Sequence, residues 1–195
     1  MEPFAEPIRG ADHMQGLGRP WFIAGGWAID LFLGRLTRKH ADIEIAVLRA
    51  DQHRVMRHLN GWTFRKVLPH KGHQMEPWSG HKRLGPPIHE IHASHGSEPF
   101  DTMEILLNEA DDEDWFFRRN PAVTCPLSRM SLIATPAIPI LSPEIVLLFK
   151  AAAPREKDHA DFENTVGSLE PERRAWLKQA LVTCYSNGRP WMCKL

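Results

Sequence analysis

The stretch that decides the reading runs from Trp21 to Val47: Trp21-Phe22-Ile23-Ala24-Gly25-Gly26-Trp27-Ala28-Ile29-Asp30-Leu31-Phe32-Leu33-Gly34, then Arg35-Leu36-Thr37-Arg38-Lys39-His40-Ala41, then Asp42-Ile43-Glu44-Ile45-Ala46-Val47. The apolar run up to Ala24 predicts a buried strand ended by a Gly-Gly turn. Apolar residues at helical spacing follow from Trp27, with Gly34 as the stop. Arg35 to His40 is a basic connector. Ile43, Ile45 and Val47 then alternate with Asp42, Glu44 and Ala46, the period of a strand, and the apolar ends suggest that both faces are covered. Side chains two apart on a strand project from one face, so Asp42 and Glu44 form a clamp suited to a hard divalent ion such as Mg2+. A Gly-Gly turn lets backbone approach a phosphate closely. The helix N-terminus after it is a natural anion site.

Working outward, Asp51 reads as the N-cap of a helix from Gln52 to about Leu59. Trp62 to Leu68 reads as a strand, and Pro69 to Pro87 as a long loop. Ile88 to His92 and Phe100 to Leu107 read as two strands paired across a loop. Residues 108–114, Asn-Glu-Ala-Asp-Asp-Glu-Asp, read as an acidic turn, after which Trp115 to Arg118 continues the sheet. Residues 1–19 are punctuated by Gly and Pro and read as a loop. After residue 141 the pattern becomes helical. Ser142 is a candidate N-cap with Pro143 in the first turn of a helix to Ala153, and further helices are expected over 157–169 and 170–184. The expected organisation is an α/β region over 1–141 and a helical region over 142–195.

A two-ion displacement site holds its metals about 3.5–4 Å apart, so a third carboxylate is expected on a neighbouring strand. Glu104 is the candidate, because an unpaired carboxylate among apolar strand residues is costly to bury. Asp101 is the fallback. His89, His92 and His95 recur every third residue, a spacing that alternates faces on a strand and does not gather a zinc ion. For Arg38 and His40, a surface basic turn and a functional role both remain open. Lys157, Asp158 and Asp161 equally fit helix-surface ion pairs.

Composition narrows the classes. Lys plus Arg and Asp plus Glu both number 24, so the chain lacks the basic excess of a general nucleic-acid binder. Three cysteines without a C-x-x-C pair argue against a zinc ribbon or redox motif. No apolar run reaches the roughly 18 residues of a membrane span, and no secretory leader is visible. The expectation is a cytoplasmic protein without membrane association.

The residues Gly25-Gly26-Trp27-Ala28-Ile29-Asp30, Leu33-Gly34-Arg35, Thr37-Arg38-Lys39-His40 and Asp42-Ile43-Glu44 resemble the start of the aminoglycoside 2''-adenylyltransferases, within the nucleotidyltransferase superfamily related to DNA polymerase beta. Glu44 stands where the commoner second Asp would be. The resemblance implies an α+β fold: a mixed sheet flanked by helices, followed by a helical C-terminal region. It implies transfer of AMP, or another NMP, from ATP or another NTP to a hydroxyl of a small acceptor, with Mg2+ as cofactor. Asp42, Glu44 and Glu104 would be the metal-binding and catalytic carboxylates. Gly25, Gly26, Arg38, His40 and Lys150 would surround the phosphates. Lys150, with the segment Lys157-Asp158-His159-Ala160-Asp161-Phe162, is similar to the part of the family that packs over the nucleotide. An aminoglycoside-like acceptor, being a polycation, would require an acidic pocket, for which the turn 108–114 is the candidate. A protein hydroxyl as acceptor, as in toxin–antitoxin nucleotidyltransferases, and a catalytically inactive nucleotide-binding module are the alternatives.

Overall fold

The computed structural model describes residues 3–96, 102–135, 137–185 and 190–195. Helix α1 (Ala5–Met14) leads to β1 (Trp21–Ile23), α2 (Gly25–Leu33) and β2 (Glu44–Leu48). Then come α3 (Gln52–His58), β3 (Thr63–Leu68), β4 (Gln74–Pro77), β5 (Glu90–Ser94) and β6 (Thr102–Ala110). Short strands β7 (Asp114–Phe116), β8 (Thr124–Pro126), β9 (Ser131–Ala134) and β10 (Ile138–Leu141) follow. Helices α4 (Pro143–Lys150), α5 (Glu156–Val166) and α6 (Pro171–Cys184) come next, followed by a short 3-10 helix over Pro190–Lys194.

The strands form one mixed sheet of order β4-β3-β5-β6-β2-β1-β10-β9, with β7 added to β6 and β8 to β7. β2 runs parallel to β6 and antiparallel to β1, and β1 runs parallel to β10. Register fixes the chemistry: Glu44 sits beside Glu104, and Glu104 beside His92. Ile45, Ala46 and Val47 of β2 are all fully buried, so this central strand is covered on both faces as its apolar ends suggested. Helix α2 is apolar on nearly every side and is buried from Gly26 to Leu31, which is how a helix enclosed by its neighbours reads. It packs against α4, α5 and β10.

Several local expectations change. Residues 5–14 are helical, not a loop; Met14 and Gly10 bury there, and Gly10 lies against Ile43. The stretch 69–87 contains β4, whose side chains are mostly exposed, so it lacks the buried alternation that marks a strand in sequence. β6 continues through Asn108, Glu109 and Ala110, so the acidic turn is shorter than residues 108–114. Asp51 and Ser142 do occupy N-cap positions, but neither caps with its side chain. The Asp51 carboxylate instead accepts Arg19 Nε at 2.6 Å, and Ser142 Oγ donates to the Arg129 carbonyl at 2.7 Å. Long-range partners outcompete the local cap in both cases.

Candidate active site

Gly25, Gly26, Arg38, His40, Asp42, Glu44, Glu104 and Lys150 all line one cleft of about 760 Å³ between the sheet and α4 and α5. The glycine turn explains itself in three dimensions. Gly25 has φ +59° and a Cβ placed there would lie 1.4 Å from Glu44 Oε2. A Cβ on Gly26 would lie 2.3 Å from Arg38 Nη2 and 2.5 Å from His40 Nδ1. The two glycines are needed because functional side chains occupy the space their own would take. No side chain caps the first turn of α2, which leaves helix N–H groups directed at the cleft.

Below the turn lies a buried brace. Asp30 is fully buried, and its carboxylate accepts hydrogen bonds from Thr37 Oγ1 and from His40 Nε2, the latter at 2.6 Å. Burial alone would lift the Asp30 carboxyl; His40 and Thr37 outweigh it and hold the group below the usual carboxylate range. Arg38 Nη1 donates to His40 Nδ1 at 3.1 Å, so both ring nitrogens of His40 are engaged. The ring also packs on Trp27 at 4.2 Å between centroids. His40 therefore fixes the connector after α2. Asp30 bridges to Thr37 and His40, not to Arg35 or Arg38.

The helical wall is basic, and its two least exposed cations are internally matched. Arg38 Nε and Nη2 grip the two carboxylate oxygens of Asp161, both at 3.0 Å. Lys150 Nζ lies 2.9 Å from Asp158 and 3.0 Å from Asp161. Asp158 also accepts the Arg155 backbone N–H and Nε, each at 3.0 Å. Burial pushes the Asp158 carboxyl up, yet these donors hold it far below its ordinary value. Asp158 and Asp161 are thus buried anchors of α5, not members of surface pairs.

The sheet wall is acidic and unmatched. Asp42, just before β2, lies with Glu44, Glu90 and Glu104 on the cleft. Among the described residues no Lys or Arg comes within 4.0 Å of any of these carboxylates. Burial, then Asp42 and Glu90, raise the Glu44 carboxyl, with Lys150 opposing. Burial, then Glu90, Asp42 and Glu44, push Glu104 up to about 7. Such crowding is expensive without an external cation. Asp101, the fallback third carboxylate, lies outside the described residues.

Two residues that the sequence reading passed over complete this wall. His92 Nε2 is 2.7 Å from Glu90 and 3.7 Å from Glu104. One ligand atom from each of Glu90, His92 and Glu104 falls within 4.8 Å of the others. The Glu-x-His spacing on β5 was the available signal, since it repeats the two-apart logic of Asp42 and Glu44. The triplet of histidines drew attention to the wrong spacing. These donors, mostly carboxylate oxygens, fit one or two divalent cations.

The turn after β6 does not supply an acidic pocket. Asp111, Asp112 and Glu113 are exposed and lie off the cleft, and Asp111 accepts the backbone N–H groups of Glu113 and Asp114. At that end the cleft is lined instead by His89, Arg118, Arg119 and Phe149. Burial first, then Arg118 and Arg49, push His89 down to about 4, leaving it neutral at pH 7.

Residues 10–83 match the family model for aminoglycoside-2''-adenylyltransferase, a match over less than half the chain. No curated relative matches. Among solved structures, ANT(2'')-Ia in complex with adenylyl-2''-tobramycin aligns over 92% of this chain and 98% of its own, with 20% identity and a TM-score of 0.62. The lincosamide antibiotic adenylyltransferase LnuA with lincomycin bound aligns over 82% and 93%, with 21% identity and a TM-score of 0.56. A nucleotidyltransferase-like protein from Paracoccidioides brasiliensis aligns over 97% and 90%, with 14% identity and a TM-score of 0.50. The fold is that of the nucleotidyltransferase superfamily, and the segment carrying the glycine turn resembles the aminoglycoside adenylyltransferases. Among the described residues, no helix is long and apolar enough to cross a membrane.

Proposed function

We propose that this chain, a nucleotidyltransferase by fold and by its matched segment, moves an NMP group from an NTP such as ATP to a hydroxyl of a small, antibiotic-like acceptor. The observation that carries the reading is the set of crowded carboxylates beside a glycine turn, with no Lys or Arg among the described residues within ion-pair reach. Asp42, Glu44 and Glu104 would hold a divalent metal, with Mg2+ the expected ion for oxygen donors. Bound there, the ion would supply charge to neutralise the triphosphate.

The chain's own groups do the rest. The Gly25-Gly26 backbone and the α2 N-terminus receive the β- and γ-phosphates. Lys150 and Arg38, held by Asp158 and Asp161, present fixed positive charge to the same oxygens. Glu104, on the cleft beside Asp42 and Glu44, takes the proton from the acceptor hydroxyl. The acceptor oxygen forms a bond to the α-phosphorus as the bond to pyrophosphate breaks on the opposite side. His40 keeps the connector in place and stays out of the chemistry.

Asp42→Asn tests this. It keeps shape and removes one ligand charge. Pyrophosphate release from Mg-ATP should fall by at least about 10²-fold, a few kcal/mol of transition-state stabilisation, while circular dichroism and melting stay native. Undiminished release in Asp42→Asn would end the assignment.

A further inference from the structure

One part of the cleft lining differs in character from the rest. Besides the glycine turn and the carboxylates Asp42, Glu44, Glu90 and Glu104, the cleft is lined by Arg118 and Arg119 with Phe149, and Glu90 acts electrostatically on both Glu104 and Arg118. Arg118 and Arg119 follow β7 after one intervening residue, Phe117, and are held by a rigid support. Phe117 is fully buried, its backbone N–H bonds the Val123 carbonyl at 2.9 Å, and neighbouring Trp115 is fully buried too. Arg119 donates through Nη1 to the Phe149 carbonyl at the end of α4, at 2.7 Å. Both guanidinium groups lie over the Phe149 ring, 5.5 and 5.7 Å from its centroid.

Arg118 makes no hydrogen bond or ion pair with any described residue; its ring contact is its only close partner there. The third arginine of this corner, Arg49, is already matched by Glu109 at 2.6 Å. Among the described residues neither guanidinium has a carboxylate within 4.0 Å, and Arg118 feels Glu90 and Glu109 only at longer range. This contrasts with Arg38 and Lys150, whose charges are met inside the protein.

In an in-line displacement the acceptor enters opposite the leaving pyrophosphate. With pyrophosphate on the glycine turn, the acceptor comes from the Glu104–Glu90 side, where the arginines are. We propose that Arg118 and Arg119, floored by Phe149, form the acceptor subsite and select a hydroxyl compound carrying an anionic group, such as a carboxylate, sulfate or phosphate, and not a polycation. A planar guanidinium fork with unused donors fits such oxyanions bidentately. A polyamine antibiotic would meet two like charges where it needs carboxylates.

The proposal rests on the nucleotidyltransferase reading for which substrate goes where, and the test separates the two. Protein is saturated with magnesium and a non-hydrolysable ATP analogue, then titrated with inorganic sulfate by calorimetry. Wild type should bind one sulfate, and the double variant R118A/R119A should bind it at least 10-fold more weakly, with the analogue's affinity within twofold of wild type. Absence of sulfate binding in the loaded wild type, or equal binding in the variant, overturns the proposal. So does a drop in analogue affinity in R118A/R119A, which would give the arginines to the nucleotide. Failure of wild type to bind the analogue at all counts against the enzymatic reading instead, and sulfate titration of the unloaded protein still reads the arginine pair. With a panel of hydroxyl compounds, pyrophosphate release should favour anionic members over tobramycin, and R118A/R119A should raise KM more than it lowers kcat. Equal turnover of tobramycin would sink the assignment.

Discussion

The two walls of the cleft carry opposite charge by opposite building rules. On the helical wall the two least exposed cations have buried carboxylates behind them: Arg38 has Asp161, and Lys150 has Asp158 and Asp161, while Lys157 lines the cleft from an exposed position. On the sheet wall Asp42, Glu44, Glu90 and Glu104 line the same cleft, and among the described residues His92 is the basic group that comes within 4.0 Å of any of them, near Glu90 and Glu104. The matched wall is part of the folded structure whether or not ligand is present. The unmatched wall is folded at a cost, and only an incoming cation can relieve it. Stability belongs to one side, and unfinished electrostatics to the other.

Asp161→Asn is the strongest way to break the contrast. It strips the charge from an anchor that is 1% exposed, leaving Arg38 without its carboxylate and Lys150 with Asp158. Unpairing a buried ion network costs about 3–5 kcal/mol, and urea unfolding should report a loss of that order. A loss under 1 kcal/mol would mean that the helical wall is as loosely built as the other.

Gly25→Ala acts where the walls meet. A left-handed backbone costs an L residue about 1–2 kcal/mol, and the new methyl must displace the Glu44 carboxylate. Because that carboxylate ends a flexible side chain, the stability loss should stay in this range. Magnesium affinity should fall more clearly, by about tenfold, read by calorimetry.

Glu104→Gln should do the reverse to the sheet wall. Removing one crowded charge should raise metal-free stability by about 1 kcal/mol, or roughly 2–4 °C in a melting scan. Added magnesium should raise the wild-type melting temperature and move the variant less. A destabilised, metal-free Glu104→Gln would show that the wall is matched after all.

The smallest effect is on pH. The Asp158 carboxyl is held below its ordinary value by Arg155 and Lys150 despite burial. A depressed carboxyl contributes stability that is present above the unfolded value of 3.8 and lost as pH falls toward the folded value. The stability advantage of wild type over Asp158→Asn should therefore be constant from pH 5 to 7 and shrink below about 4. An advantage unchanged at pH 3 would argue that shape, not charge, holds α5.

How much of this was legible differs sharply along the chain. From Trp21 to Val47, strand, turn, helix and carboxylates follow from local pattern, because apolar period and glycine position are local quantities. Glu104 was found because a lone carboxylate in an apolar strand is anomalous by itself. Glu90 and His92 were missed because their role depends on register with β6, which no single strand states. The pairing of Arg38 with Asp161 is likewise a tertiary fact. Arg118 and Arg119 look like an ordinary surface doublet until Phe149 is brought beneath them. The short strands β8, β9 and β10 carry too few residues to show a period.

The fork between Arg38 and Asp161 spans 123 positions of sequence. On the ribosome the glycine turn and its strand emerge long before the helix that steadies the arginine. A nascent chain that stops anywhere short of Asp161 could lay down much of the sheet and still own no competent centre. The last helices are therefore the latch that arms it, and truncation from that end should silence the protein well before it unravels it.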